Sequence, residues 1–567
     1  MRYSVIACDY DGTLASDGIV DEHTLASLQR LRASGRKLIL VTGRILSDLL
    51  AIFPQVDLFD RLVVENGAVL YRPTDKEEKQ LAEAPPQSFF QALRQRSIPY
   101  SVGRAIVATH RPHDTAVLEI IRDLGLEHQV IFNKGAVMVL PAGVNKATGL
   151  EAALRELALS RHNVVGIGDA ENDHAFLNLC ESAVAVANAL PSIKDRADWV
   201  TLGNQGAGVI ELVDRLLADD LRSHDLRSSR HNVVIGTQDS EEVSVNLHRQ
   251  NLLVAGTSGS GKSTLASALL ERLAVKDYQF CVIDPEGDYE NFEGAVTLGT
   301  AEHAPSLKEI LDLLEQPEQN VVINLVGLPL ADRPSFFSIL FPQLQELRSR
   351  NGRPHWIVID ETHHLLPSSG IASEALSQMT EAMLFITVHP EEVAPSVLAS
   401  VDIVIAVGSS AQETIGRFSR AINQPAPAIA GPDLKPGEVL FWARQSNAAP
   451  HKLTILPGRT ERRRHQRKYA EGKLSPERSF YFRGPKGKLN LRAQNLILFV
   501  QLAEGVDDET WIYHRKNGDY SQWFRDVIRD DVLAQEVEPI EKLPKLTPSE
   551  GRRLIRALVE RHYTLPA

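Results

Sequence analysis

The chain has 567 residues, and at roughly 100–200 residues per domain this length predicts about three to five domains. Its 43% hydrophobic and 24% charged residues argue against a mostly disordered chain, and three cysteines in so long a chain exclude a disulfide scaffold. The 61 basic and 73 acidic residues give a formal charge of −12, which argues weakly against a nucleic-acid binder. No apolar run approaches the ~18 residues of a membrane helix and no signal sequence is recognisable, so we expect a soluble, cytoplasmic protein without a membrane partner.

Residues 1–217 alternate short β-branched runs with helical stretches such as 22–34. Alternating strands and helices are typical of an α/β domain with a doubly wound parallel sheet. The strands predicted in this domain are Tyr3–Ala7, Lys37–Val41, Asn163–Ile167 and Ala183–Val186.

The polar stretch 218–232 predicts a linker, and a second alternating pattern follows over 233–458. This pattern predicts a second α/β domain, again with a doubly wound parallel sheet. Its predicted strands are Leu252–Ala255, Phe280–Ile283, Asn320–Leu325, Trp356–Ile359, Leu384–Thr387 and Ile403–Val407.

The last part of the chain is basic and then helical. Twelve Lys/Arg and three Glu lie between Arg459 and Arg492, a local charge of +9, which predicts a basic linker over 459–490. Its segment Arg459–Lys468 suits contact with nucleic-acid phosphates, and equally a solvated helix face or an inter-domain strap. Helical patterns at 491–504, 520–538 and 549–562 predict a small, mainly helical domain over 491–567. The aromatic cluster expected to form its core is Trp511, Tyr513, His514, Tyr520, Trp523 and Phe524.

Two carboxylates, Asp9 and Asp11, follow the first predicted strand, at the edge where ligands of open α/β sheets bind. Carboxylates one residue apart suit a nucleophile with a neighbouring general acid. An aspartyl intermediate divides phosphoryl transfer to water into two easier displacements. The charge at such a site requires a hard cation with oxygen ligands, for which Mg²⁺ is the best candidate.

Further polar groups follow later strands. Thr42 supplies a hydroxyl beside backbone donors, Lys146 supplies a point positive charge, and Asp169 and Asp173 supply two more carboxylates. A single Asp is explained as well by capping a strand or helix, but four motifs in this order are not.

These motifs are D-Y-D-G-T from Asp9, T-G-R from Thr42, the Lys146 and G-D-A-E-N-D from Gly168. In type and order they resemble the motifs of the haloacid-dehalogenase-like phosphatases, specifically the subclass IIB that includes the Cof-type and sugar-phosphate phosphatases. The stretch Glu65–Ala68 also matches the subclass. The resemblance covers about 1–217 and implies a Mg²⁺-dependent phosphomonoesterase.

The resemblance also implies the roles of these residues. Asp9 would be the nucleophile and Asp11 the acid/base. The other members of the set are Thr42 and Lys146, which would hold the phosphoryl group, Asp169, which would bind Mg²⁺ with Asp9 and the Asp11 carbonyl, and Asp173, which would support the metal shell or orient Lys146.

Proteins of this family carry a cap between their second and third motifs, and about 85–141 fits one here, with a helix expected over 114–124. A lid of this kind excludes water and recognises the leaving group. The short cap suits a small sugar phosphate or a phosphoglycolate-like compound, and equally a site open to a larger end group.

A glycine-rich loop follows the strand Leu252–Ala255 and precedes a helical stretch at 265–273. Glycines let successive backbone N–H groups point at phosphates, and the helix N-terminus adds partial positive charge, so this context predicts ATP binding. Lys262 would reach the β- and γ-phosphates, and Ser263 would bind Mg²⁺. The nucleotide-binding residues are Gly256, Thr257, Ser258, Gly259, Ser260, Gly261, Lys262, Ser263 and Thr264.

Asp360 and Glu361 end the strand Trp356–Ile359. Asp360 would hold Mg²⁺ through water, and Glu361 would polarise the attacking water, which favours ATP hydrolysis over transfer to an alcohol. Solvated strand-end charges are the simpler alternative.

The lead-in Val234–Thr237, the strand end Ile283–Tyr289, the run Asp360–His364 and the strand end Thr387–Pro390 make about 230–445 resemble the HerA/FtsK-like ATPases. These relatives act as hexameric rings, so the resemblance implies a homo-oligomer and DNA as a partner. The small N-terminal barrel of HerA is absent, and the phosphatase-like region takes its place in the chain.

Two polar groups of that family differ here. His389 stands where the γ-phosphate sensor is usually Gln, and 368–382 lacks the Arg that relatives often carry, so Arg417 and Arg420 are the replacement candidates. His363 and His364 suggest a metal pair, but adjacent histidines are expected to face different directions on a helix.

Three functions fit these observations. In the first, the ATPase engages DNA and the phosphatase processes a polynucleotide end or a nucleotide phosphate. In the second, the phosphatase acts on a small sugar phosphate or phosphoglycolate-type compound, and the ATPase is a regulatory or assembly module. In the third, both sites are nucleotide sensors in a scaffold.

Overall fold

The computed structural model describes residues 1–133, 135–223, 232–246, 250–368, 381–429, 434–444, 448–458, 474, 479–485, 487–528 and 530–563. The basic segment Arg459–Lys468 and residues 369–380 lie outside this part of the chain. The described residues form two compact units, one of residues 1–266 and 272–455 and the other of residues 267–271 and 456–567. In the described helices, no stretch is long and apolar enough to cross a membrane.

An eight-stranded sheet in the order β12-β11-β10-β1-β2-β3-β4-β5 forms the core of the first domain. Strands β12 to β3 are parallel, and β4 and β5 add an antiparallel edge. The central strands are buried because helices cover both faces of the sheet. The strands are β1 (Val5–Cys8), β2 (Lys37–Val41), β3 (Arg61–Val64), β4 (Val69–Arg72), β5 (Glu77–Gln80), β6 (Ser101–Val102), β7 (Val107–His110), β8 (His128–Asn133), β9 (Ala136–Pro141), β10 (Val164–Gly168), β11 (Ser182–Ala185) and β12 (Trp199–Val200).

The helices of this region begin at well-formed caps. Asp21 accepts hydrogen bonds from the N–H groups of His23 and Thr24 at the start of α1, and Asn145 forms a capping box with Thr148 at the start of α5. The helices are α1 (Glu22–Ala33), α2 (Leu46–Ile52), α3 (Gln87–Gln95), α4 (Asp114–Asp123), α5 (Lys146–Glu156), α6 (His174–Leu179), α7 (Pro191–Lys194) and α8 (Gln205–Asp219).

A separate four-stranded antiparallel sheet, in the order β6-β7-β9-β8, forms the cap. Helices α3 and α4 pack on it through their own apolar cluster, which includes Phe89, Leu93, Val117 and Ile120. The helix expected over 114–124 is α4, whereas α3 has no counterpart in the sequence prediction.

The second domain is built on an eleven-stranded sheet in the order β14-β13-β23-β22-β21-β15-β20-β19-β16-β18-β17. The segment from β21 to β17 is parallel, and β22, β23, β13 and β14 extend it as an antiparallel edge. The strands are β13 (Asn232–Gln238), β14 (Glu241–Asn246), β15 (Leu252–Gly256), β16 (Phe280–Asp284), β17 (Ala295–Leu298), β18 (Asn320–Asn324), β19 (Trp356–Ile359), β20 (Met383–Thr387), β21 (Ile403–Val407), β22 (Glu438–Ala443) and β23 (His451–Ile455).

Helices connect the parallel strands of this second sheet. They are α9 (Lys262–Val275), α10 (Leu307–Leu314), α11 (Arg333–Asn351), α12 (Thr362–Leu365), α13 (Pro395–Ala399) and α14 (Ala411–Ala421). The prediction of two α/β domains followed by a small, mainly helical region is confirmed, with the difference that both large sheets carry antiparallel edges.

Two helices predicted in the C-terminal region differ in the structure. Residues Leu491–Ala493 form a strand that pairs with Phe480–Phe482, and the helix begins only after Asn495, whose side chain caps it. The pattern over 520–538 is divided by a π-helical turn, Phe524–Ile528, because Asp530 caps a new helix. The helices are Leu496–Gly505, Asp508–Asn517, Asp519–Trp523, Asp531–Glu541 and Pro548–Tyr563.

The aromatic core of this region agrees with the prediction except at one residue. Tyr513 is 36% exposed and does not belong to the core. The other predicted members are buried, namely Trp511, His514, Tyr520, Trp523 and Phe524.

Candidate functional sites

The first candidate site lies where three adjacent parallel strands end. Strand β1 is hydrogen-bonded to β10 on one side and to β2 on the other, so their carboxyl ends share one edge of the sheet. Asp9 follows β1, Thr42 follows β2 and Asp169 follows β10. The fold therefore brings together polar residues that are up to 160 positions apart in the chain.

Lys146 is the centre of this site. It opens α5 directly after the Asn145 cap, and its Nζ atom lies 2.5 Å from Asp9 Oδ1 and 2.6 Å from Asp173 Oδ1. Lys146, Asp9 and Asp173 are at most 4% exposed. A buried ammonium group held by two carboxylates is fixed in position, because leaving either charge unpaired would be costly.

Asp173 connects this ion pair to the neighbouring loop. Its second oxygen, Oδ2, accepts hydrogen bonds from the backbone N–H groups of Asp169 at 2.8 Å and of Ala170 at 2.9 Å. A side chain at Gly168 would collide with Asp173, since an added Cβ would lie 2.7 Å from Oδ2. Asp173 thus orients both Lys146 and the loop that carries Asp169.

Three carboxylates of the site form a group suited to a hard cation. One oxygen from each of Asp9, Asp169 and Asp173 lies within 4.8 Å of the others, and all three residues are buried. Thr13 donates its hydroxyl to Asp169 Oδ1 at 3.2 Å. Several buried carboxylates beside a single ammonium group leave excess negative charge, so the donor set fits Mg²⁺.

Burial and neighbouring charges shift the pKa values of this ion pair. Burial, together with the charge of Asp173, raises the pKa of the Asp9 carboxyl, and Lys146 acts in the opposite direction. Burial alone would lower the pKa of Lys146, but Asp173 and Asp9 raise it above its ordinary value. Lys146 therefore stays protonated and favours the ionised form of Asp9.

Asp11 is held by a residue that the sequence prediction did not assign to the site. Arg44 donates from Nε to Asp11 Oδ2 at 2.7 Å and from Nη2 to Asp11 Oδ1 at 2.6 Å. The Arg44 guanidinium also lies 5.5 Å from the centroid of the Tyr10 ring. The signal for this contact is the T-G-R motif itself, whose Arg supplies the guanidinium fork, whereas the sequence prediction uses only the hydroxyl and backbone donors of the motif.

Thr42 and two asparagines complete the edge of the site. Thr42 is buried, and its Oγ1 accepts the backbone N–H of Arg44 at 3.2 Å. Asn172 donates to Asn66 Oδ1 at 2.9 Å, which joins the turn after β3 to the motif after β10. The sequence prediction does not include the two asparagines among the site residues, although Asn66 lies in the stretch Glu65–Ala68 and Asn172 lies in the motif from Gly168.

The second candidate site is the loop 256–264 between β15 and α9. Gly259 and Gly261 have φ values of +72° and +100°, and a Cβ added at either would meet open space. These left-handed conformations favour glycine and let the backbone N–H groups line a concave anion site. Lys262 is buried and its Nζ donates to the carbonyl of Thr257 at 3.1 Å, so its side chain crosses back over the loop.

A turn after β16 faces this loop. The buried carboxylate of Asp284 accepts four backbone N–H groups, from residues 286 to 289, at 2.8–3.2 Å. The turn presents Asp288, whose Oδ2 accepts the Ser263 hydroxyl at 2.7 Å. Asp284 and Asp288 belong to the stretch Ile283–Tyr289 that resembles the HerA/FtsK-like ATPases, and the sequence does not predict their contacts with the loop 256–264.

Asp360 and Glu361 end β19, the strand beside β16. Burial raises the pKa of the Asp360 carboxyl well above its ordinary value, and burial also raises the pKa of Glu361. Glu361 has a φ of +41°, a conformation that is uncommon outside glycine. Such conformations cluster at functional sites.

The expectation that His363 and His364 face different directions is wrong. Their ring centroids lie 4.1 Å apart, and ligand atoms of Glu361, His363 and His364 are within 4.8 Å of one another. His363 Nδ1 lies 3.1 Å from Thr387 Oγ1, and burial lowers the pKa of His363 to about 4. Both rings belong to the short helix α12, which ends at Leu365.

The candidate γ-phosphate sensor and the candidate arginines follow this region in the chain. His389 is half-exposed with its ring 5.4 Å from that of His363, and Arg417 contacts Glu391 and Glu413. Arg420 is exposed at the last turn of α14. Their proposed roles stay predictions.

Comparison with known proteins assigns the two domains. Residues 6–105 and 106–213 match the haloacid dehalogenase-like hydrolase family, and residues 233–349 match the central domain of the helicase HerA. The chain therefore belongs to the haloacid dehalogenase-like hydrolases, with a HerA-type P-loop domain on the same polypeptide.

Two relatives of the first domain are named phosphoglycolate phosphatases. Phosphoglycolate phosphatase 2 of Saccharolobus solfataricus is 30% identical over 222 residues, which are 38% of this chain and 92% of that protein. Phosphoglycolate phosphatase of Methanothermobacter thermautotrophicus is 31% identical over 225 residues, 37% of this chain and 98% of that protein. A haloacid dehalogenase-like hydrolase from Bacteroides thetaiotaomicron aligns with a TM-score of 0.34 at 20% identity, covering 38% of this chain and 100% of that structure.

Proposed function

We propose that the first domain is a Mg²⁺-dependent phosphomonoesterase in which Asp9 is transiently phosphorylated. The observation that carries this proposal is the buried Lys146, held between Asp9 and Asp173 beside the Asp169 loop. A nucleophilic carboxylate requires a nearby positive charge to remain ionised when buried, and Lys146 supplies it. The scaffold alternative, with both sites as sensors, does not account for such a costly ion pair.

The proposed reaction consists of two displacements. Asp9 attacks phosphorus through a carboxylate oxygen, the bond from phosphorus to the leaving oxygen breaks, and Asp11 gives that oxygen its proton. Water then attacks phosphorus and passes a proton to Asp11 while the bond between phosphorus and Asp9 breaks, releasing phosphate and restoring the carboxylate of Asp9 and the protonated carboxyl group of Asp11. Thr42 and Lys146 hold the phosphoryl oxygens in this proposal, and Asp173 keeps Lys146 in place.

Mg²⁺ would be held by Asp9, Asp169 and the backbone carbonyl of Asp11. The grouped carboxylates fit this ion, and the Asp11 side chain is bound by Arg44, which is consistent with a backbone ligand at that residue. When bound, the ion would neutralise charge on the phosphoryl oxygens and favour the ionised form of Asp9.

A small phosphorylated carboxylic acid such as 2-phosphoglycolate is the proposed substrate. The support is the set of relatives named phosphoglycolate phosphatase, of which this chain covers 92% and 98% of the length in the two cases above. Small sugar phosphates are the second candidate, and a polynucleotide end is the third.

Phosphate release by the full chain tests this function. The wild type with Mg²⁺ should hydrolyse 2-phosphoglycolate, and Asp9→Asn should lose at least about 10³-fold of kcat because the amide is a poor nucleophile. Chelation of divalent ions should also abolish turnover. Equal rates for the wild type and Asp9→Asn would overturn the assignment, and a preference for sugar phosphates would change the substrate only.

We further propose that the second domain hydrolyses ATP. Lys262 and the loop 256–264 would bind the phosphates, Ser263 and Asp360 would hold Mg²⁺, and Glu361 would orient the attacking water. Lys262→Ala should lose ATP binding, whereas Glu361→Gln should keep binding and lose turnover. Binding of a fluorescent ATP analogue and phosphate release separate the two effects, and ATP hydrolysis by Lys262→Ala at the wild-type rate would contradict the assignment.

The full chain can also be tested for DNA-stimulated ATP hydrolysis and for ring assembly. A ring that engages DNA should show DNA-stimulated ATP hydrolysis that falls steeply with salt, together with a six-fold mass in solution. A regulatory or assembly module should show no response to DNA, and a monomer would argue against a motor.

A further inference from the structure

Glu65 joins the catalytic core to the cap. It lies in the turn between β3 and β4 and is fully buried. Its carboxylate accepts hydrogen bonds from three backbone N–H groups of the cap loop 103–106. Its Oε1 accepts from Arg104 at 2.9 Å, and its Oε2 accepts from Ala105 at 2.9 Å and from Ile106 at 3.1 Å. Hydrogen bonds from backbone N–H groups to a buried carboxylate are charge-assisted and strong.

The same turn is tied to the catalytic loop. The backbone N–H of Glu65 donates to the carbonyl of Arg44 at 2.9 Å, and that of Asn66 donates to the carbonyl of Thr42 at 3.1 Å. The Asn66 side chain reaches Met138 Sδ in β9 of the cap at 3.0 Å. Residues 65 and 66 thus link the phosphate-binding loop directly to the cap.

The backbone of Glu65 and Asn66 adopts an unusual conformation at this link. Glu65 and Asn66 both have a φ of +52°, a conformation that is costly for non-glycine residues and persists only where contacts enforce it. The loop approaches so closely that a Cβ added at Gly103 would lie 2.4 Å from the Glu65 carboxyl group. An apolar cluster beside the link holds core and cap residues together, namely Ala68, Ala105, Ile106, Met138 and Leu140.

The cap also contacts the catalytic motif after β10. Strand β8 of the cap lies against the turn 171–173, which belongs to the catalytic motif after β10. Asp9 is 4% exposed and Asp169 is 2% exposed. A substrate phosphate must reach Asp9, so the cap lies where it can limit the size of the phosphate esters that enter.

We propose that Glu65 is a positioning residue that clamps the cap onto the core and thereby restricts the phosphatase to small phosphomonoesters. This inference rests on the proposed function of the first domain and deepens it by naming its substrate class. Removal of the clamp frees the cap loop, weakens the enclosure of small substrates and opens the site to larger phosphate esters.

Amide hydrogen exchange of the full chain tests the clamp without any substrate. In Glu65→Gln one acceptor oxygen becomes an amide donor that faces backbone N–H groups, so amides 104–106 should exchange at least about tenfold faster than in the wild type. The amides of β1 and β10 should keep their wild-type protection. Glu78→Gln is the matched control, because the Glu78 carboxylate accepts from the exposed side chain of Arg104 and not from the backbone of the loop, so its loss should leave the loop protected.

Substrate selectivity is the second readout. With 2-phosphoglycolate and a 5′-phosphorylated oligonucleotide as probes, Glu65→Gln should lower kcat/KM for the small ester by about tenfold or more and raise the relative rate on the oligonucleotide. An unchanged ratio, with unchanged exchange at 104–106, would overturn the clamp while the phosphatase function stands. Faster exchange in Glu65→Gln, with a wild type that hydrolyses neither probe, would support the clamp and contradict the proposed function.

Gly103→Ala acts on the same contact from the cap side. Its added methyl group must displace the Glu65 carboxylate, so this variant should reproduce the selectivity change of Glu65→Gln while Glu65 itself is intact. Selectivity and exchange like those of the wild type in Gly103→Ala would count against the clamp, even if Glu65→Gln failed to fold.

Discussion

Arg44 binds both carboxylate oxygens of Asp11, the residue proposed to move the leaving-group proton. A planar guanidinium fork fixes the orientation of a carboxylate in a way that a single ammonium group cannot. The side chain of Asp11 is 37% exposed, so packing alone does not hold it. Arg44 therefore serves as a positioning residue for acid/base chemistry in this model of the reaction.

The corresponding prediction compares two substitutions at Arg44. Both Arg44→Lys and Arg44→Ala should lower kcat by about 10²-fold, the lower end of the usual contribution of general acid–base catalysis, because neither preserves the fork. Steady-state kinetics on a small phosphomonoester measure the change. Arg30→Ala, which removes an exposed ion pair with Asp214, is the control and should match the wild type. Full activity of Arg44→Lys would show that charge, and not the fork, is what Asp11 requires.

The turn after β16 shows how one buried side chain can organise a whole segment. Asp284 accepts four N–H groups from residues 286 to 289, and this arrangement holds Asp288 against Ser263 of the nucleotide loop. Backbone donors that lose a buried acceptor carry a desolvation cost, so the turn depends on both Asp284 oxygens.

Asp284→Asn should therefore weaken nucleotide binding without unfolding the domain. One acceptor oxygen is replaced by a donor, the turn loosens, and the KM for ATP should rise by about tenfold, equivalent to about 1.4 kcal/mol. ATP hydrolysis and binding of a fluorescent analogue measure this effect. Glu290→Gln lies at an exposed position beside the same turn and should leave the KM unchanged. A wild-type KM in Asp284→Asn would mean that the turn does not support the nucleotide loop.

The phosphatase and ATPase domains meet through a buried polar cluster around Glu181. Its carboxylate accepts from Arg2 Nη2 at 3.1 Å and from the Tyr278 hydroxyl at 3.1 Å, and it lies 2.7 Å from His162 Nδ1. The rings of His162 and Tyr278 stack at 3.7 Å. Tyr278 follows the end of α9, so this contact joins the phosphatase directly to the helix that begins at the nucleotide loop.

His355 is a buried histidine of this interface. Its Nδ1 accepts the Gln279 N–H at 2.8 Å, its Nε2 lies 3.3 Å from Asn163 Oδ1, and burial lowers its pKa well below 6.5. The nearby charges that act on it are those of His162, Arg353, Glu181 and Arg348. In the unfolded chain His355 takes up a proton below about pH 6.5, whereas in the folded chain it stays neutral. The contribution of neutral His355 to the free energy of unfolding is therefore complete above that pH and is lost as pH falls.

The free energy of unfolding should therefore fall more steeply below pH 6.5 in the wild type than in His355→Asn. The difference should approach about 1.4 kcal/mol per pH unit, because one proton separates the two states. The asparagine oxygen can still accept the Gln279 N–H but does not titrate. Urea unfolding between pH 8 and pH 5 measures this, with His303→Asn as an exposed-histidine control. Parallel pH profiles of the wild type and His355→Asn would refute the linkage.

At the scale of the whole chain, the order of strands and helices could be predicted because apolar runs, caps and glycine-rich loops are local features. The strand Trp356–Ile359 has the predicted bounds, and the strand ends carry the motif residues Asp9 and Asp360. The antiparallel edges and the strand Leu491–Ala493 could not be predicted in the same way. They depend on pairing with strands elsewhere in the chain or with strands whose sequence shows little apolar alternation.

The sequence by itself determined the two α/β domains, the residues of the two proposed phosphate sites and the sheet edges at which they lie. Only the tertiary structure decided which of these residues meet. Lys146 lies between two carboxylates that are 137 and 27 positions away, Arg44 holds Asp11, and Glu65 reaches a loop about 40 positions further along the chain. The physical reason is that a motif fixes the chemistry of a side chain, whereas its partner depends on how the cap, helices and sheet pack, and that packing brings together positions with no local signal in common.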